Sequence, residues 1–388
     1  MTDEKKPENL STKKAAEEFR EWEVDDKIKA QEVRDKIKNS EERKRFLTEE
    51  VKQVDLEKAT SIKDLVSSFK DSSIQSREIG KCADIYEMML TDEDRPTIFM
   101  GMAGALIAGG QRKVLRDMVK NRLVDAIVST GAILYQDFYQ AKGGKHYKGD
   151  PDSDDVVLRD LLINRIYDTY IDEIKCDDVD RFIANFVEKL EPRDYSTREF
   201  MYELGKEADD ENSILYWAYK NNIPVFCPAL CDSSIGIGLT LYYGRNKEKK
   251  VQERVTIDNI RDNFEILQII DKSKKTSAIY LGGGVPKNWI NDAIVMASYY
   301  RNREFDGHYY IFQITMDSVY WGALSGSTLK EAQSWGKVNK KATKTMAHVE
   351  TTVALPLIVG SIMQQPELYK NRKPLDYKWK GNVLESIY

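Results

Sequence analysis

Four short apolar runs in this chain each end in small residues, and helical sequence lies between them. They are Thr97 to Met102 entering Ala103-Gly104-Ala105, Val124 to Val128 entering Ser129-Thr130-Gly131-Ala132, Ile223 to Phe226 entering Cys227-Pro228-Ala229-Leu230, and Ala278 to Leu281 entering Gly282-Gly283-Gly284. Runs of this length that stay apolar, without alternating, suit strands buried on both faces. The intervening segments, such as Arg112 to Arg122 and Ser213 to Asn221, carry helical spacing. Strands alternating with helices predict an α/β fold with a parallel sheet covered by helices on both sides. In such sheets ligands bind beyond the carboxyl ends of the strands, where these glycine- and serine-rich turns fall.

Residues 1 to about 50 differ from the rest, being dense in charges of both signs with Phe19, Trp22 and Val24 as sparse apolar anchors. They read as a tail and a helical arm laced with ion pairs, either solvated or packed on a neighbouring subunit or site mouth. Residues 51–388 read as one catalytic domain. The net charge of -5 speaks against a nucleic-acid partner, which needs a basic face, and suits a polycationic small molecule better. Cys227 and Cys231 flank an apolar segment and read as buried thiols of a reducing compartment. No metal site is expected, because His146, His308 and His348 stand at ligand spacing neither from one another nor from those cysteines. The charged start has no apolar signal core and no run reaches membrane-spanning length, so the expected location is the cytoplasm, away from membranes.

Three segments could carry chemistry. The turn at Gly282-Gly283-Gly284 lets backbone approach a ligand, and the helix after it would offer free N–H groups to phosphate; the G-x-G-x-x-G pattern is absent, so a tight structural turn competes. Asp232, after the third run, could hold a ribose hydroxyl or cap a helix. Lys337 follows Trp335 and Gly336, with Glu331 six residues earlier. Partial desolvation beside Trp335 would favour a neutral amine, which imine chemistry requires, against the plainer reading of a surface lysine. Six residues do not place Glu331 and Lys337 on one helix face, but Gly336 permits a break. Glu331 could anchor a substrate ammonium or simply sit at a helix start.

Together these segments resemble the deoxyhypusine synthase family, and more closely its prokaryotic, polyamine-forming branch. The matching stretches are Ser129 to Ala132, Ile163 to Ile166, Tyr216 to Ala218, Ile223 to Asp232, Leu281 to Lys287 and Glu331 to Lys337, in order along most of the chain. The resemblance implies a Rossmann-like NAD-binding fold and a homotetramer with sites shared between subunits. It also implies transfer of a butylamine group from spermidine or a related amine through an imine on Lys337. By the same carry-over Glu331, Trp335 and Asn288 would bind substrate. Ala103, Gly104, Ala105, Thr130, Gly131, Ala132, Asp232, Gly282, Gly283, Met316, Asp317, Glu350 and Thr351 would line NAD, with Glu350 standing where the family usually has an aspartate.

Departures bear on the substrate. The family's glutamate-rich turn is Ile133 to Asp137 here, its histidine after the glycine turn is Asn288, and two spermidine-gripping aspartates are Ile237 and Leu324. Exchanging a carboxylate for an aliphatic in a polycation pocket forfeits a charged contact of about 1.5–3 kcal/mol. Loss of the histidine leaves His348 and Tyr135 as candidates for proton transfer. The preferred expectation is a small-amine acceptor, with agmatine-like or polyamine substrates. The alternatives are a genuine deoxyhypusine synthase acting on the lysine of the hypusine-containing translation factor, and a catalytically weak regulatory paralogue.

Overall fold

The computed structural model describes residues 26–388 apart from 36, 39 and 40. The chain divides into two units, Met1–Lys52 and Gln53–Tyr388. In the first, residues 26–35 are helical and Glu41–Phe46 forms a further short helix with a Lys44–Glu41 ion pair at 2.6 Å. Ile28, Val33, Ile37 and Phe46 are exposed there. Phe19, Trp22 and Val24 lie outside the described residues.

The second unit is built on a parallel six-stranded sheet, and four of its strands are the runs read above. In chain order the strands are β1 (Thr97–Met102), β2 (Ala126–Ser129), β3 (Val225–Phe226), β4 (Thr276–Leu281), β5 (His308–Ile314) and β6 (Val338–Ala347). Their spatial order is β6-β5-β4-β1-β2-β3, every pairing parallel. Strand order therefore reverses between β1 and β4, which creates the crevice where doubly wound sheets bind ligands. The register aligns the two at Met102 and Leu281, so their glycine-bearing turns emerge side by side.

Alternation along the buried strands feeds two cores. Ile98, Met100 and Met102 of β1 join Ile127, Ile279, Leu281, Phe312 and Ile314 on one face, while Phe99 joins Val128, Phe226, Ala278, Tyr280 and Ile311 on the other. Helices α1 (Ile62–Phe69), α2 (Ile74–Thr91) and α3 (Arg112–Lys120) contribute to the first core. So do α4 (Gly131–Ala141), α5 (Glu173–Val187), α6 (Thr197–Glu207), α7 (Ile214–Lys220) and α8 (Ser234–Asn246). The second core is closed by α9 (Asn259–Lys272) and α10 (Gly284–Arg301), whose Ile290, Ala293, Ile294 and Ala297 recur at helical spacing. The apolar run after Glu350 becomes α11 (Thr351–Met363), packed on the first core through Ala354, Leu355, Ile358 and Ile362. A small antiparallel sheet carries the Ile163–Ile166 strand.

The cysteine expectation holds for Cys227, which is buried, and fails for Cys231, which is exposed in the turn before α8. Asp137, in the segment that replaces the family's glutamate-rich turn, is structural. It is fully buried, and its carboxylate accepts from Arg112 Nε at 2.8 Å, Ser213 Oγ at 2.7 Å and the Leu215 N–H at 3.0 Å.

Candidate functional site

The segment leading to Lys337 folds as a single helical turn, Glu331–Ser334, that stops at Trp335 and reverses through Gly336 at φ +69°. That reversal brings Glu331 and Lys337 to one cavity despite their spacing of six. The Lys337 backbone is pinned on both sides: its N–H donates to the Ala332 carbonyl and its carbonyl accepts from the His308 N–H, both at 3.1 Å. Gly307 lies so close that a Cβ there would fall 2.5 Å from the Lys337 carbonyl carbon. Lys337 thus projects from a rigid stem.

The cavity, about 240 Å³, is lined by Lys287, Asn288 and Asn291 of α10 and by Leu324, Ser327, Glu331, Ala332, Trp335 and Lys337. Lys337 Nζ lies 2.8 Å from Asp292 Oδ1 and 3.3 Å from Asn288 Oδ1, and 5.3 Å from the centre of the Trp335 ring. Asn288 Nδ2 donates to Asp292 Oδ2 at 2.8 Å, as i and i+4 neighbours on α10 can. Lys337 keeps only 15% of its side-chain surface, so the partial burial expected beside Trp335 is present. Trp335 is 66% exposed and touches the lysine as a cation–π partner, and the charge nearest the amine is the Asp292 carboxylate.

A second lysine shares the cavity. Lys287 is 2% exposed, and its Nζ donates to the Ser327 carbonyl at 2.5 Å and to Ser327 Oγ at 3.1 Å. Burial pushes its ammonium down to about 8, against Glu331 and Asp317, which favour the charge, and with Lys337, which opposes it. Neither Lys287 nor Asp292 was given a role from sequence. The signals were present, since Lys287 belongs to the matched glycine-turn stretch and Asp292 stands four residues after Asn288 on a predicted helix.

The other candidates sit beyond the carboxyl ends of all six strands. Ala103 to Ala105 follow β1, Thr130 to Ala132 follow β2, and Asp232 is exposed in the loop after β3. Gly282 and Gly283 follow β4, Met316 and Asp317 follow β5, and Glu350 and Thr351 follow β6. At this edge α4 and α10 begin at Thr130 and Gly283 without a side-chain cap, leaving N–H groups for an anion. Gly104, at φ +94°, has open space where a Cβ would be. Glu350 instead caps its own helix, its carboxylate accepting from the Thr352 N–H at 2.8 Å.

The glycine turn and the cavity share a wall. A Cβ on Gly283 would collide with Ser325 Cα, and one on Gly282 would come within 2.9 Å of the Ala103 carbonyl oxygen. Buried Gln313 ties the two sides, its Nε2 donating to the Gly282 carbonyl at 2.8 Å and to the Ser325 carbonyl at 2.7 Å. Ser325 Oγ also donates to Asp317.

Of the departures, Leu324 lines the cavity, half exposed, whereas Ile237 is exposed on α8 and is not part of its lining. The two proposed replacements for the family histidine do not reach Lys337. His348 is exposed after the far end of β6, its N–H donating to Gln75 Oε1. Tyr135 is buried in the first core, with its hydroxyl donating to the Cys176 carbonyl at 3.2 Å, and burial pushes its ionisation far up. Among the described residues no cluster of His, Cys, Asp and Glu could hold a metal ion, and no helix is long and apolar enough to cross a membrane.

A doubly wound parallel sheet with a lysine-bearing cavity against its glycine turn defines the class, and comparison with known proteins defines the family. Residues 64–362 match the family model for deoxyhypusine synthase. A "Deoxyhypusine synthase-like protein" of Chlorobaculum parvum is 42% identical over 323 residues, covering 81% of this chain and 89% of that protein. A Methanosarcina mazei protein named "Probable deoxyhypusine synthase 2" is 39% identical over 336 residues, covering 85% and 95%. The fold is also similar to a crystal structure of a candidate deoxyhypusine synthase from Entamoeba histolytica, with TM-score 0.54 at 23% identity over 80% of this chain and 96% of that one. The chain belongs to the deoxyhypusine synthase family, a family of transferases.

Proposed function

We propose that this protein is an NAD-dependent transferase that carries a four-carbon amine fragment as an imine on Lys337 and delivers it to a small amine acceptor. The observation that carries the reading is the meeting of Lys337, Glu331 and Trp335 in one cavity of about 240 Å³. A cavity of that size, open to solvent on one side, admits a short amine chain such as a diamine or agmatine.

The edge beyond the strands fits a dinucleotide, because it combines uncapped helix starts at α4 and α10 with the open turn at Gly104. NAD, when bound, supplies a hydride acceptor for the carbon beside the donor's amine. The uncapped N–H groups would hold its pyrophosphate, and Asp232 a ribose hydroxyl. Lys337 then forms a C–N bond to the oxidised carbon as the donor's leaving amine departs, the acceptor amine later displaces Lys337, and return of the hydride reduces the acceptor's imine to the amine product. Glu331 pairs with the substrate's distal cation and Trp335 packs on its alkyl chain. The homotetramer implied by the family belongs to this reading and is checked by particle mass in solution.

A protein acceptor is the second reading, favoured by the exposure of Trp335 and by a groove of about 750 Å³ on its far side. That groove mixes Glu304 and Asp306 with Lys340 and Lys341, so it lacks the acidic mouth that a basic protein loop would need. The test offers spermidine, putrescine, agmatine and the hypusine-containing translation factor, singly and in pairs, to the enzyme with NAD, and weighs the products. A new small polyamine that disappears in Lys337→Ala supports the first reading. A butylamine mass gain on the translation factor establishes the second, and no product in any mixture refutes both.

A further inference from the structure

The proposed transfer moves protons that no residue assigned so far can handle. When Lys337 displaces the donor's leaving amine, the lysine nitrogen loses two protons in turn and the leaving nitrogen gains them. Asn288 is an amide and Trp335 an indole, and neither accepts a proton at working pH. Lys287 directs its Nζ at Ser327, Tyr135 lies in the core, and His348 stands beyond the far end of β6. Glu331 lines the cavity without an ion pair to Lys337 Nζ.

One carboxylate meets the geometric requirement. Asp292 Oδ1 is 2.8 Å from Lys337 Nζ, within the reach of a general base. Its other oxygen accepts from Asn288 Nδ2 at 2.8 Å, while Asn288 Oδ1 faces Lys337 Nζ at 3.3 Å. Lysine, amide and carboxylate close a ring in which Asn288 orients both partners. The ring stands on firm supports, α10 under Asn288 and Asp292 and the pinned stem under Lys337. Asp292 keeps 38% of its side-chain surface, so solvent and incoming amines reach it.

We propose that Asp292 is the catalytic proton carrier of the transfer, with Asn288 as its positioning residue; the proposal rests on the Lys337 imine reading above. Asp292 takes a proton from the Lys337 ammonium, and the freed amine forms a C–N bond to the donor's imine carbon. Asp292 returns that proton to the donor nitrogen of the adduct, then takes a second proton from the Lys337 nitrogen and delivers it to the donor nitrogen as that nitrogen's bond to the carbon breaks. The products are the protonated Lys337 imine and a neutral amine, so protons and electron pairs balance without any further redox partner. The acceptor step runs through the same carboxylate in reverse.

The experiment follows the mass of the Lys337 peptide after cyanoborohydride trapping, with the full-length enzyme, NAD and either spermidine or agmatine. NADH absorbance in the first turnover reads the preceding step separately. In Asp292→Asn we expect NADH to form while Lys337 labelling slows by about 100-fold, the usual lower bound for lost general acid–base catalysis. In Asp292→Ala, added acetate should restore labelling, a rescue that a purely structural role would not show. Asn288→Ala, which keeps the carboxylate but loses its orientation, should slow labelling by about 10-fold, and its thermal melt checks that the fold is intact. Labelling of Asp292→Asn at the wild-type rate, or Asp292→Ala deaf to acetate, overturns the proposal and leaves the Lys337 reading standing. No Lys337 adduct in the wild type overturns both.

Discussion

Lys287 offers a quantitative check on the cavity's interior. Its ammonium is 2% exposed and is pushed down to about 8 by burial, against an unfolded value of about 10.4. A group whose folded pKa is lowered in this way binds fewer protons in the native state, so between pH 8 and 10.4 the unfolded chain carries the excess. Stability therefore rises with pH across that window, and below it the fold bears the full penalty of the buried charge, roughly 3 kcal/mol. Integrated from pH 7.5 to pH 9.5, the gain is about 2 kcal/mol. Lys287→Met keeps an unbranched stem and removes the titration, so the difference between wild type and variant cancels every other titrating group. Urea unfolding at the two pH values should move that difference by about 2 kcal/mol in favour of the wild type. A difference that stays constant to within about 0.5 kcal/mol would show that water reaches Lys287 and that the cavity is wetter than its geometry indicates.

Leu324→Asp places a carboxylate in the cavity wall where the aliphatic side chain is half exposed. Solvent screening leaves about 1 kcal/mol of the charged contact, a roughly 5-fold gain in spermidine affinity with little change for butylamine; equal shifts for both amines in a calorimetric titration would refute a role in reading polycations. Asp125 pairs with Arg95 at 2.8 Å and Arg372 at 2.7 Å and, although burial would raise its pKa, the two guanidinium groups hold it far below the usual carboxylate range. Its contribution is therefore present above about pH 4 and is lost as pH falls further. Asp125→Asn should cost roughly 3–5 kcal/mol at neutral pH in chemical denaturation and flatten the acid limb; a loss below about 1 kcal/mol would refute it.

The sheet was readable where strands are buried on both faces, because β1 to β4 are then apolar runs ended by small residues. β5 and β6 gave no such run. β6 is an edge strand in which Lys340, Lys341 and Lys344 interrupt the apolar positions, a composition that guards a free edge but hides the strand from hydropathy. Gly336 was readable as a possible break, and its left-handed turn is what makes neighbours of Glu331 and Lys337. The partners of Lys337 were not readable, since Asn288 and Asp292 approach from a helix some fifty residues away in sequence. Trp335 shows the limit of local context: adjacency to a lysine does not say whether the ring faces the core or the solvent, and here it faces out.

The wall between the glycine turn and the lysine cavity is one backbone thick, and Gln313 is bonded to both of its sides. Lys287 holds the same wall further along, at Ser327. A ligand that draws the Gly282 carbonyl outward must therefore also draw on Ser325, and a ligand filling the cavity presses back on the turn. Ligands of the two compartments, as proposed above, would meet through this wall. By linkage, whatever factor an occupant of the strand edge lends to amine binding, the amine must return to that occupant.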